Sequence, residues 1–147
     1  MFDILKLNEA CAEQHQMVVE KGFEPQPIAT NLMLTVSELS EALEADRKLR
    51  HANYEAFERK IPQPKHSIAD DSLLYIMNGH VVSKDTAFEI YKHEFDQLIK
   101  DTFEDEIADA FLRLMDLCGE KGIDIERAIR AKAIYNRMRP PKHGKLY

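Results

Sequence analysis

Two stretches decide how this chain is read: SELSEALEADRK at residues 37–48 and FEDEIADAFLRL at residues 103–114. Glu38 and Glu41 stand three residues apart in the first, and Glu106 and Asp109 do so in the second. Both stretches repeat apolar residues at three- and four-residue spacings, the period of a helix. An i, i+3 pair on a helix presents both side chains on one face. Two acids placed so repel one another and destabilise an isolated helix by about 0.2–0.5 kcal/mol. Two such pairs facing each other across a bundle call for a cation between them, and oxygen-only donors suit Mg²⁺ or Mn²⁺. Glu38, Glu41, Glu106 and Asp109 are therefore candidate metal ligands, and the chain reads as a divalent-metal protein built from helices.

Outward from these stretches, the pattern predicts a first helix over 3–21, with Ile4, Leu7, Cys11 and Val18 on its apolar side and Gly22 as its stop. Pro25 and Pro27 mark a linker. A second helix is expected from about Thr30 to Arg50, with Leu32, Val36, Leu39 and Leu43 as its buried stripe. Residues 51–101 read as an insertion between the two acidic helices. Its first part shows little periodicity. Asn78-Gly79, between Leu73–Met77 and His80–Val82, is a type I′ hairpin signal. Ser83 then caps a helix to about Lys100, with Phe88, Tyr91, Phe95 and Leu98 as its stripe. Thr102 caps the second acidic helix. Its apolar face is Phe103, Ile107, Ala110, Phe111, Leu114 and Cys118, and Gly119 and Gly122 end it. Asp124 caps a last helix over 125–138, which Pro140-Pro141 closes.

Composition narrows the class. At 147 residues, with 44% hydrophobic and 31% charged, the chain suits one folded domain with a real core. Its net charge of −6 argues against a nucleic-acid binder, though not against a nucleotide substrate. The N-terminus lacks a basic segment followed by an apolar one, and no run reaches the length of a membrane span. Cys11 and Cys118 lack metal-ligand spacing and read as buried thiols rather than a disulfide. These features predict a cytoplasmic protein with neither membrane nor nucleic acid as partner.

Helical angles place the acids. With Glu106 at zero and about 100° per residue, the apolar residues of its helix cluster between roughly 20° and 140°, and Asp109 falls near −60°. Leu39 and Leu43 lie about 100–140° from Glu38 by the same count. Each acidic pair is thus expected to border the buried face and to reach a shared cleft. The plainer alternative is a solvated acidic face, since Glu is a strong helix former. Glu44 extends the first ladder as a third ligand, a supporting group or a surface charge. On the last helix, Lys132, Asn136 and Arg139 continue the face begun by Ile125, Ala128 and Ile129. A stripe that turns from apolar to cationic suits phosphate oxygens. It equally suits a fraying helix end whose cations favour the C-terminal dipole.

Together, TVSELSEALEADRK and FEDEIADAFLRLMDLCGEKGIDIERAIRAKAIYNRMRPPKHGK resemble the all-α nucleoside triphosphate pyrophosphohydrolase superfamily, the MazG-like proteins. Glu38-x-x-Glu41 and Glu106-x-x-Asp109 match its paired acidic motifs. Lys132, Tyr135-Asn136, Arg139 and the His-Gly-Lys at 143–145 resemble its downstream residues. One departure is the 64 residues between Glu41 and Glu106, a connection usually much shorter in the family.

The resemblance implies an all-α helical bundle, a single MazG-like domain over 1–147 with 51–101 inserted and carrying the hairpin. It implies Mg²⁺-dependent hydrolysis of a nucleoside or deoxynucleoside triphosphate to the monophosphate and pyrophosphate. The four acids would act as ligands and catalytic groups, with Lys132, Asn136 and Arg139 on the substrate. By resemblance the base pocket lies between the first two helices. His15, Gln14 and Phe23 are candidates for its lining, though an ordinary surface histidine is the plainer reading of His15. His143 is a candidate phosphate contact, and His80 reads as structural. A homodimer or homotetramer is expected. The competing reading is a non-catalytic helical dimerisation module. A di-iron bundle ranks below both, because neither acidic pair has a His at the third position on.

Overall fold

A computed structural model of the chain describes residues 6–66 and 73–140. Six helices dominate them: α1 (Leu7–Glu20), α2 (Ile28–Arg47), α3 (Tyr54–Lys60), α4 (Lys84–Leu98), α5 (Phe103–Lys121) and α6 (Ile125–Met138). Three strands complete the set: β1 (Gln63–His66), β2 (Leu73–Met77) and β3 (His80–Val82). They form one antiparallel sheet in the order β1-β2-β3. Among the described residues no helix is long and apolar enough to cross a membrane. Ile4, Pro141, His143 and the rest of the 143–145 motif lie outside the described residues.

Local chemistry sets most of the element ends. The Ser83 and Asp124 side chains accept from the backbone N–H groups of Thr86 and Arg127, at 3.1 and 3.0 Å, as N-caps do. Thr102 does the same for Asp105 at 3.4 Å. At the hairpin, Asn78 and Gly79 hold φ of 51° and 80°, the two left-handed residues a type I′ turn requires. Two elements were not foreseen. Asn53 caps α3 by accepting from Ala56 at 3.0 Å, and β1 pairs with β2 from Gln63 opposite Ile76 to His66 opposite Leu73. Seven helical residues show barely two turns of periodicity. Pro64, which donates no ladder bond, masks β1 as a strand.

The chain divides into two compact units, Met1–Val36 with Ala110–Tyr147, and Ser37–Asp109. In the first, Asn8 ties α1 to the start of α6. Its backbone N–H donates to Glu126 Oε1 at 3.0 Å, and its amide donates to Asp124 Oδ1 at 2.9 Å. Its amide oxygen accepts from the Glu126 N–H at 3.3 Å. Gly119 does not end α5, which continues to Lys121. It sits instead where α5 meets α1. A Cβ there would lie 2.3 Å from the Cys11 carbonyl oxygen and 2.7 Å from His15 Cβ. Gly122, with φ of 59°, provides the stop. Cys11 is buried beside Cys118, and both thiols are free.

In the second unit, α3 packs on α4 through Phe57. Its ring meets Tyr91 and Phe95 edge-on, with centroids 5.0 and 6.2 Å away. Tyr91 and Phe88 of the expected α4 stripe nonetheless remain exposed.

The larger correction concerns the acidic helices. The expected stripe of α2, Leu32, Val36, Leu39 and Leu43, is 45–50% exposed. Thr35, Glu38, Ala42 and Ala45 are buried instead. These four recur at three- and four-residue spacing and are short apart from the glutamate, so the inward face of α2 is narrow and polar. In α5, Glu106, Ala110 and Leu117 are buried, whereas Phe111 and Leu114 are exposed. The first acid of each pair thus lies within the buried face and not along its border.

Candidate metal centre

Within the unit Ser37–Asp109, α2 supplies Glu38, and α5 supplies Glu106 and Asp109. One carboxylate oxygen from each of these three lies within 4.8 Å of the others. Glu38 and Glu106 are 8% and 7% exposed, and Asp109 is exposed. Three acids on two helices at this spacing match the hard-oxygen donor set that Mg²⁺ and Mn²⁺ favour. The Glu106 carboxylate sits among other acids. Burial is the main cause that pushes its pKa up to about 7, with the charges of Glu41, Asp105, Glu38 and Asp109 adding to it. A buried carboxylate surrounded by acids is held against its own electrostatics, and a cation would relieve it.

Glu41 stands apart from this trio. It is exposed, and its Oε1 accepts from the Ser37 hydroxyl at 3.3 Å. Its charge still contributes to the Glu106 shift. Glu44 is a surface group whose ion pair with Lys48, at 3.0 Å, lowers its pKa. Asp105 is turned to the backbone, where Oδ2 accepts from the Asp101 N–H at 2.9 Å. Burial nevertheless raises its pKa.

A second set of contacts joins the end of α2 to the start of α5. The Glu104 carboxylate accepts from the Ala52 N–H at 2.8 Å through Oε2, and its Oε1 lies 3.1 Å from His51 Nδ1. The hydrogen bond from Ala52 is the main cause holding the Glu104 pKa below its usual value. The Phe103 N–H donates to the Arg50 carbonyl at 2.9 Å. The His51 ring meets Phe103 edge-on at 5.8 Å. Residues 50–53 gave no periodic signal, so these partners could not be read in advance. The one hint is the FEDE run, whose three acids fall in the first turn of α5, where negative charge is favoured.

The other candidates lie in the unit Met1–Val36 with Ala110–Tyr147. On α6, Lys132 and Asn136 line an open hollow of about 380 Å³ with Ile129, Ala133 and Arg137. Arg139 is not part of its lining and sits with its Cζ 5.8 Å from the Tyr135 ring centre. The Lys132 ammonium approaches the same ring at 5.2 Å. Arg137 lies about 120° around α6 from Ile125, off the face shared by Lys132 and Asn136. His15 is half-buried, its Nδ1 2.9 Å from Asp116 Oδ1. Gln14 is half-buried, Phe23 is exposed, and His80 is exposed on β3.

Comparison of the chain with models of known families, with curated proteins and with solved structures finds no match.

Proposed function

We propose that the carboxylates of Glu38, Glu106 and Asp109 hold a divalent cation, Mg²⁺ or Mn²⁺, and that the chain hydrolyses a nucleoside or deoxynucleoside triphosphate to the monophosphate and pyrophosphate. The observation that carries the reading is Glu106, buried and beside two further carboxylates, with its pKa pushed up to about 7. The paired motifs that resemble the all-α pyrophosphohydrolases supply the substrate class. The bound cation supplies Lewis acidity at the phosphoryl oxygens and lowers the pKa of a bound water. Glu41, exposed and outside the trio, is the acid left to accept a proton from the attacking water. The resemblance alone gives Lys132 and Arg139 the role of offsetting phosphate charge and Asn136 that of donating to phosphate or sugar oxygens. His15 is assigned to the nucleoside end, where the Asp116 contact orients its ring. The outer stripes of α2 and α5 are assigned to self-association as a homodimer or homotetramer in the cytoplasm.

Those same exposed stripes favour one second reading, a non-catalytic dimerisation module. Incubation with a panel of canonical and modified nucleoside triphosphates and Mg²⁺, with pyrophosphate as readout, separates the two. Release from at least one nucleotide is expected. No release from any, with a stable dimer by gel filtration, favours the module.

A further inference from the structure

We infer that Glu104 is a positioning residue for the metal centre, fixing how α2 and α5 present Glu38 and Glu106 to one another. This rests on the metal-binding reading of the trio. The two buried ligands come from different helices, so their separation depends on the join between those helices. That join is short and hydrogen-bonded. α2 ends at Arg47, and Leu49 turns the chain with φ of 56°. Arg50 then accepts from the Phe103 N–H, and Ala52 donates to the Glu104 carboxylate at 2.8 Å. The first of these bonds uses a free N–H of the first turn of α5, and the second reaches back from that turn with a side chain. Glu104 thus ties the first turn of α5 to the segment 50–53 through its side chain. Glu106 follows two residues later on the same helix, so a shift of the first turn moves it directly. Groups that orient metal ligands without touching the ion commonly matter about 10–100-fold in affinity.

Two substitutions separate reach from charge. Glu104→Gln keeps the length of the side chain and an oxygen that accepts from Ala52, but loses the charge. Glu104→Asp keeps the charge and is one methylene too short. Mn²⁺ affinity, read by electron paramagnetic resonance on the full chain, is expected to fall about tenfold in Glu104→Asp and to stay within about twofold of the parent in Glu104→Gln. Circular dichroism checks that both remain helical. Equal affinity in all three proteins overturns the inference, and so does a loss in Glu104→Gln as large as in Glu104→Asp. Mn²⁺ uptake by the parent separates these results from failure of the metal reading. If the parent takes up no Mn²⁺ at millimolar concentration, that reading falls and this inference with it.

Discussion

The two acidic helices are built on one plan and end differently. In α2, Glu38 and Ala42 are buried, while Glu41 and Leu43 face outward; in α5, Glu106 and Ala110 are buried, while Asp109 and Phe111 face outward. The positions correspond one to one. Yet Asp109 joins the cluster with Glu38 and Glu106, while Glu41 turns to Ser37. Equal spacing in the sequence therefore does not mean equal standing in the site. A helix fixes which face a side chain leaves from. Side-chain length and the nearest donor fix where the carboxylate ends. The shorter Asp109 has less reach away from the helix, whereas the longer Glu41 folds back one turn onto a hydroxyl.

The comparison breaks hardest at Glu106. Glu106→Gln should abolish Mn²⁺ uptake and lower pyrophosphate release by about 10³-fold or more. Its Tm without metal should rise at pH 8, because the crowded charge is gone. Unchanged turnover would remove Glu106 from the site. The contrast between the second acids comes next. Asp109→Asn should cost about 100-fold in turnover together with Mn²⁺ affinity. Glu41→Gln should leave Mn²⁺ affinity intact and cost about tenfold in turnover. Equal losses of Mn²⁺ affinity in the two variants would restore the symmetric four-ligand site.

Further along, α5 crosses α1 at Gly119, and α2 has no glycine. Gly119→Ala should destabilise the protein by about 1–3 kcal/mol in urea unfolding, because the added methyl meets backbone instead of a movable side chain. A neutral result would mean that α1 yields there. The smallest expected effect is with pH. The Glu106 pKa is raised, from 4.5 to about 7, so the folded chain binds the extra proton in that window. The stability of the metal-free protein should therefore fall as pH rises from about 4.5 to 7. A Tm series without metal should show this slope in the parent and a flatter one in Glu106→Gln. Adding Mg²⁺ at pH 8 should raise the parent Tm by mass action.

Much of this was legible because it depends on local chemistry. Ser83, Thr102 and Asp124 announce helix starts, Asn78-Gly79 announces its turn, and ExxE and ExxD announce a shared face. What stayed hidden depends on partners. Leu39 and Leu43 look like core in any helical projection, and only the packed chain shows Ala42 and Ala45 taking the inner face. Gly119 reads as a helix stop because a close crossing leaves no pattern of its own. Glu104 was lost among four consecutive first-turn residues, since its bond to Ala52 spans more than fifty positions of chain.

That long span has a practical side. The Asn53 N–H donates to the Leu98 carbonyl at 3.1 Å, and the Phe103 N–H to the Arg50 carbonyl at 2.9 Å. The stretch carrying α3, the sheet and α4 therefore leaves and re-enters the chain at almost one point. A loop whose ends already meet can be shortened, exchanged or replaced by a brief linker at little entropic cost, since closure depends only weakly on length. The stretch is in this sense a cassette. Excising 54–97 and grafting another closed module in its place asks nothing new of the helices that carry the acids.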